Sequence, residues 1–418
     1  MKTVVHKFGG TSVRDRASRA AAAAIVARAV GAGDRVAVVV SAMGRTGDPY
    51  ATDTLLSLVR GEGAPVPARE EDLLASCGEV VSAVVFAQAL RRAGLADVVA
   101  MNGLQAGIVT DARHGEARIL RVDPAPVETV LARGGVPVVT GFQGVTQGGD
   151  VTTLGRGGSD TTAAALGAAL TADEVAIFTD VDGVMTADPR IVPDARTLRR
   201  INYEETFELV SLGARVLHPR AVEIARQASV PLRVLSTFAP GEGTLIGPGG
   251  GALVDRWQRR DSAHTVVGVT ARLGLVNVDT EAAAHGPVTP RDLFARLARA
   301  EISVDLMNVF VDRTSFVLRA IDVAAASDIL EALFGHPDAF RVVPGLAKVG
   351  VVGSAIHDLP GVMALFMEAL ARADADVMAT SDSHQSITAL VEETRVEDAL
   401  RSLHAAFHLG EGETGEGR

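Results

Sequence analysis

Four stretches of this 418-residue chain carry residue types suited to phosphate and carboxylate chemistry. The first is Lys7-Phe8-Gly9-Gly10-Thr11-Ser12, directly after the β-branched run Thr3–Lys7. Adjacent glycines let backbone N–H groups come close to a phosphate, and Lys7 would add a point charge. A tight strand–helix turn with a surface lysine has the same spacing. No G-x-x-x-x-G-K-[ST] run occurs, which excludes a P-loop. The second stretch, Gly155-Arg156-Gly157-Gly158-Ser159-Asp160-Thr161-Thr162, misses the dinucleotide fingerprint because Asp160 takes the place of its last glycine. Arg156 can fork onto a carboxylate, while Asp160 could equally cap the helix that follows. The third runs from Thr179-Asp180-Val181-Asp182-Gly183 through Val184, Met185, Asp188 and Arg190. Such a polar loop can hold a base and ribose with Mg²⁺ nearby, and an Asp-Gly turn is the plainer alternative. The fourth is Glu79, set among Cys77, Gly78, Val80 and Val81, where a carboxylate needs a partner such as a substrate ammonium unless it is simply exposed. Ser41, and Thr52 with Asp53, are weaker candidates of the kind that often caps or turns.

Positioning these residues falls to strand-like runs at Thr3–Lys7, Arg35–Ser41, Asp97–Met101, Val136–Thr140, Glu174–Phe178 and Pro231–Ser236. Between them lie helical patterns at Arg16–Val30, Ala68–Ala93, Pro124–Arg133, Asp160–Leu170, Tyr203–Leu212 and Pro219–Gln227. Continuous Val/Ile runs alternating with helices predict an α/β fold with a doubly wound, mainly parallel sheet. Ligands then bind at the carboxyl edge of the strands, where all the motifs fall.

Gly247-Pro248-Gly249-Gly250-Gly251 reads as a linker. Beyond it, Val266–Val269, Pro290–Ala300, Val304–Phe310, Phe316–Ile321 and Ala324–Phe334 predict a ferredoxin-like βαββαβ unit. Leu297-Ala298-Arg299-Ala300 recurs as Leu370-Ala371-Arg372-Ala373, and Val304 as Val377 at the same offset, which indicates a second copy. The expected organisation is a catalytic domain at 1–246, a linker at 247–262, regulatory units at 263–343 and 344–410, and a disordered tail at 411–418.

Hydrophobic residues make up 47% and charged residues 22%, enough for large cores across two or three domains. A net charge of −11 argues against nucleic acid, whose binders carry basic faces. The single cysteine, Cys77, allows no disulfide framework within one chain and suits a reducing compartment. The run Ala20–Val30, broken by Arg28, is too short for a membrane helix, and the N-terminus does not read as a signal peptide. A cytoplasmic enzyme with no membrane partner is the expectation.

Taken together, K-F-G-G-T-S, S-A-M-G after the second strand, G-R-G-G-S-D and T-D-V-x-G-V-x-T-x-D-P-R resemble the aspartate kinases of the amino-acid kinase family. The resemblance spans essentially the whole chain, including a C-terminal pair of ACT units. Ser41-Ala42-Met43-Gly44-Arg45, continuing through Gly47-Asp48-Pro49-Tyr50-Ala51-Thr52-Asp53, and Ser381-Asp382-Ser383-His384 are similar to the diaminopimelate-sensitive type. The resemblance implies that Lys7, Phe8, Gly9 and Gly10 hold the ATP phosphates. It surrounds the nucleotide with Thr179, Asp180, Val184, Met185, Asp188 and Arg190. It places Ser41, Thr52, Glu79, Arg156, Gly157 and Ser159 around L-aspartate, with Asp160 orienting Lys7. It further implies ATP with Mg²⁺, the metal carried by no protein side chain directly, and the product 4-phospho-L-aspartate on the route to lysine, threonine and methionine. An amino-acid effector, meso-diaminopimelate or lysine, is expected at an ACT interface near Asp305, Met307, Asn308, Ser381, Asp382 and Ser383, in a homodimer or homotetramer. Asp182, where many relatives have proline, and Arg215 before Val216-Leu217-His218-Pro219 are the departures. Another acyl-phosphate kinase of the same fold and a non-catalytic amino-acid sensor are the alternatives.

Overall fold

The structure is a computed structural model that describes residues 1–61, 63–248, 265–281, 288–335, 339–354, 356 and 359–411. Most of the expected linker, and the tail from 412, lie outside the described residues. The chain divides into two compact units.

The first unit comprises 1–184, 197–210 and 215–250. Its strands are β1 (Thr3–Phe8), β2 (Arg35–Val40), β3 (Val98–Met101), β4 (Ile108–Thr110), β5 (Ile119–Val122), β6 (Val136–Thr140), β7 (Gln143–Val145), β8 (Val151–Thr153), β9 (Glu174–Thr179), β10 (Arg200–Asn202), β11 (Leu232–Ser236) and β12 (Thr244–Gly247). Eight of them form one sheet in the order β10-β12-β11-β9-β1-β2-β6-β3. β1 lies parallel to both β2 and β9, and only the β11–β12 pair is antiparallel. Val4 and Phe8 face a core built with Val26 and Ala22 of helix Arg16–Gly31 and Phe86 and Leu90 of helix Ala68–Arg92. Side chains alternate along a strand, so Lys7 points to the opposite face, where it meets Asp160 of helix Gly158–Ala169. Helices on both faces give the expected doubly wound sheet. A second sheet, β5-β4-β7-β8, was not legible in the sequence because its strands have only three or four residues.

Among the described residues, helix Ala68–Arg92 alone is long and apolar enough to cross a membrane, with a mean hydropathy of 1.8. It carries Asp72 and Glu79, both 2% exposed, and packs Ala83, Phe86 and Leu90 into the first core. It is a core helix of this unit.

The second unit holds one antiparallel sheet of β13 (Val266–Glu281), β14 (Asp305–Val309), β15 (Arg313–Arg319), β16 (Phe340–Gly353), β17 (Ala379–Asp382) and β18 (Ser386–Glu392). Their order is β14-β15-β13-β16-β18-β17. β13 and β16 span 16 and 14 residues and serve both βαββαβ halves. The later part of β13 pairs with β15, while Val266–Arg272 pairs with Val352–Lys348 and Gly353 of β16. The second half therefore takes its fourth strand from residues that precede the first half. A boundary at 343/344 falls inside the continuous strand β16, so the duplication is interleaved.

The second unit also contains 185–196 and 211–214. Ala187 and Val192 are buried in its core with Val269, Val349, Leu403 and Phe407. Val269 N–H donates to the Thr186 carbonyl at 2.8 Å, and Thr186 Oγ1 lies 2.9 Å from His404 Nε2. Arg196 donates to the Leu409 carbonyl and Arg401 to that of Ile191. Residues 185–196, expected inside a continuous catalytic domain, pack with the regulatory fold.

Candidate active site

Lys7, Gly10, Ser41, Thr52, Glu79, Arg156, Gly157, Ser159 and Asp160 line one cleft of roughly 420 Å³ at the carboxyl edge of the main sheet. Three of the four chemistry-bearing stretches thus converge, joined by Ser41 and Thr52. Lys7 leaves β1 with its Nζ 2.7 Å from Asp160 Oδ1, each side chain 11% exposed. Beside this pair the backbone must stay bare. A Cβ on Gly10 would stand 2.6 Å from the Gly44 carbonyl oxygen and 2.7 Å from that of Ala42. At Gly9 it would occupy a point 3.6 Å from Lys7 Nζ, space suited to a phosphate oxygen. The helix after these glycines, Gly10–Val13, has four residues, and Gly9 N–H is committed to the Phe178 carbonyl at 3.1 Å, so the Gly10 amide rather than a long helix dipole supplies the polarity.

Glu79 points into the cleft from the buried face of helix Ala68–Arg92. Its Oε1 accepts from the Ala42 amide at 3.0 Å, whereas Oε2 is buried with no hydrogen-bond partner. Burial pushes the carboxyl pKa up to about 8, opposed only partly by the Ala42 amide. Arg156 has an exposed guanidinium with no ion pair among the described residues. A buried carboxylate oxygen without a donor and a free guanidinium in one cleft are complementary to the ammonium and carboxylate of an amino acid.

The turn carrying Arg156 is supported from two sides. Gly157 has φ +66°, and a Cβ there would lie 2.3 Å from His218 Cβ. His218 sits at the start of helix Pro219–Ala228, and burial and then Arg220 hold its pKa down while Asp160 opposes. On the other side, a Cβ on Gly155 would lie 3.1 Å from the Gly115 carbonyl oxygen. Gly115 N–H and His114 Nδ1 bond the Asp72 carboxylate at 3.0 and 2.8 Å, and Thr153 Oγ1 also bonds it. Sequence reasoning missed Asp72 and His218. Asp72 had a signal: it lies seven residues before Glu79, two helical turns away on the same face.

Other expected residues lie elsewhere. Phe8 is fully buried and stacked on Phe178 at 4.8 Å, and its carbonyl accepts from the Ser41 amide at 3.1 Å, so it shapes the strand end instead of meeting a ligand. Thr179 Oγ1 donates to Asp180 Oδ1 at 3.2 Å, and Asp180 Oδ2 takes Arg45 at 2.6 Å. Val184 is 1% exposed, and its N–H is committed to Thr244 Oγ1. Met185, Asp188 and Arg190 belong to the second unit, where Arg190 Nε bonds Asp188 Oδ1 at 2.9 Å. None of these residues lines the cleft.

In the second unit, a cleft of roughly 730 Å³ is lined by Asn277, Asp279, Asn308, Arg313 and Thr380 among others. Of the six expected effector contacts, only Asn308 lines it. Asp305 is committed to Lys348, Met307 is 54% exposed, and Ser381 and Asp382 end strand β17 beside Thr380. Ser383 closes a turn onto Ser386 at 2.8 Å.

Comparison with known proteins accords with this geometry. The amino acid kinase family profile matches residues 2–236, and an ACT domain profile matches 349–407. Aspartokinase 1 of Bacillus subtilis (strain 168) is 43% identical over 417 residues, covering 98% of this chain and all of that protein. The crystal structure of E. coli aspartokinase III with aspartate and ADP, an R state, superposes with a TM-score of 0.77 at 25% identity, over 97% of this chain and 99% of that one. The same enzyme with lysine and aspartate, a T state, gives a TM-score of 0.70 at 25% identity over 97% of this chain.

Proposed function

The chain belongs to the amino acid kinase family as one of its aspartokinases, and we propose from that premise how its own residues carry the reaction. The enzyme is an aspartate kinase that converts ATP and L-aspartate to ADP and 4-phospho-L-aspartate, under allosteric control through its ACT region.

The single observation that carries the site assignment is the meeting of the Lys7–Asp160 pair, the unpartnered Glu79 Oε2 and the unpaired Arg156 in one cleft. Arg156 clamps the α-carboxylate of aspartate, and Glu79 receives its ammonium. The β-carboxylate, with an ordinary pKa near ~3.9, is already ionised and needs no base. One of its oxygens attacks the γ-phosphorus, the bond from phosphorus to the β,γ-bridging oxygen breaks, and that electron pair leaves with ADP. Charge neutralisation and positioning therefore supply the catalysis. Lys7 has three donors, so it can hold Asp160 and still meet a phosphate oxygen.

Among the described residues no three His, Cys, Asp or Glu side chains converge as a metal cage. Mg²⁺ typically binds through one or two carboxylates plus substrate phosphates. We assign it to the ATP phosphates, where it adds positive charge. The nucleotide is assigned to the Gly10 amide and the open space beside Gly9, with Thr179 and Asp180. Feedback by meso-diaminopimelate, with lysine second, is proposed at the regulatory sheet around Asn308, in a homodimer or homotetramer of cytoplasmic enzyme. Exposed Met307, Val309, Phe310 and Val311 on and beside β14 support a partner surface there.

The test is an assay with ATP and aspartate in which hydroxylamine traps the acyl phosphate, repeated with diaminopimelate, lysine and threonine. Hydroxamate formation that depends on aspartate and falls with diaminopimelate supports the reading. Hydroxamate that forms only with a different carboxylic acid would overturn it.

A further inference from the structure

Among the described residues, Arg45 is the one cation lining the cleft whose role the proposed reaction leaves unfilled. Lys7 is already neutralised by Asp160 at 2.7 Å, Arg60 is held by both Nε and Nη2 on Glu71, and Arg156 is assigned to the substrate carboxylate. Beside a lysine so compensated, a further cation would add to the charge stabilisation that Mg²⁺ gives as the aspartate β-carboxylate approaches the γ-phosphoryl group.

The backbone of Arg45 is fixed beside the phosphate-facing glycines. Gly44 N–H donates to the Gly10 carbonyl at 3.1 Å, in the contact that leaves no room for a Cβ on Gly10. Arg45 N–H donates to Asp48 Oδ2 at 2.9 Å, and Asp48 N–H returns to the Arg45 carbonyl at 2.8 Å. The side chain is the reverse: 70% exposed and bonded through Nη2 to Asp180 alone. An exposed ion pair is screened by solvent and contributes little, so the guanidinium can leave Asp180 at small cost. Asp180 itself belongs to the loop assigned to the nucleotide, so a phosphate arriving there competes for the same guanidinium.

We propose that Arg45 is a catalytic residue that exchanges Asp180 for the γ-phosphoryl oxygens of bound ATP and stabilises the charge on them as the group passes to aspartate. The inference rests on the aspartate-kinase reading. The bonds made and broken are those of the proposed reaction, and Arg45 exchanges no proton.

The test compares full-length Arg45→Ala, Arg45→Lys and Arg60→Ala with the parent enzyme in the hydroxamate assay. Arg45→Ala should lower kcat by about 100-fold with the aspartate KM within about twofold, the loss typical of a missing transition-state donor. Arg45→Lys should recover part of that loss, and added guanidinium should raise the rate of Arg45→Ala but not of Arg60→Ala. A kcat for Arg45→Ala within threefold of the parent would overturn the proposal. So would a loss confined to the aspartate KM, or an equal loss in Arg60→Ala. In each of these cases the parent enzyme still forms hydroxamate from aspartate, so the reading of the reaction stands apart from the fate of Arg45.

Discussion

Glu79 in the catalytic unit and Lys348 in the regulatory unit are both buried, at 2% and 9% exposure, yet only Lys348 has an oppositely charged partner, Asp305. Other polar side chains extend the contrast. In the regulatory unit His404 meets Thr186 and Arg196 meets the Leu409 carbonyl. In the cleft, Glu79 Oε2 has no donor, and Arg156 has no anion among the described residues. Satisfied polar groups specify a fold, whereas unsatisfied ones cost stability and wait for a ligand. The contrast separates charges that hold the molecule together from charges that hold the substrate.

The largest expected effect breaks the comparison at its catalytic end. Lys7→Ala should reduce kcat by about 10³, since it removes a preorganised cation facing the transferred group. Steady-state kinetics with aspartate checks this, and a change under tenfold would remove Lys7 from the transition state. Arg156→Lys should raise the aspartate KM about 10- to 100-fold through loss of the bidentate fork, corresponding to ~1–3 kcal/mol. Unchanged aspartate kinetics would remove Arg156 from the site. The smallest effect sharpens the regulatory side. Lys348→Met should lower stability by about 1 kcal/mol, as expected for a pair that remains partly exposed at Asp305. Denaturant unfolding measures it, and kcat without effector should stay within twofold of the parent.

Much of the first unit was legible because its central strands are Val/Ile runs buried on both faces, and such runs declare themselves without partners. Val136–Thr140 matches its expected bounds, and Glu174–Phe178 falls one residue short. Lys7, Glu79, Arg156 and Asp160 could be named because glycine pairs and a glutamate among valines are unusual local chemistry. What escaped depends on tertiary context. β13 and β16 look like ordinary strands in sequence, and only pairing shows that each serves two halves of one sheet. The polar motif from Thr179 to Arg190 reads as one loop, yet its second part packs around Val269 and His404. Ending the chain after Leu245 would therefore strip 185–196 of its core, so a truncated catalytic domain is a poor probe of feedback.

The unpaired carboxyl also leaves a mark on stability. Its folded pKa, about 8, lies above the ordinary 4.5, so ionisation of Glu79 works against the fold. That penalty is absent below pH 4.5, grows as the pH rises toward 8 and is complete above it. On the proposed assignment, aspartate binding would reverse the balance by giving the carboxylate its ammonium.

Calorimetric titration of aspartate into ligand-free enzyme at pH 7, in buffers of different ionisation enthalpy, reads this reversal directly. A carboxyl with a pKa near 8 is mostly protonated at pH 7, so binding should release most of a proton per aspartate there, and less as the pH rises through 8. Full-strength binding to the parent enzyme at pH 7 with no proton released would contradict the assignment of Glu79 as the ammonium's partner.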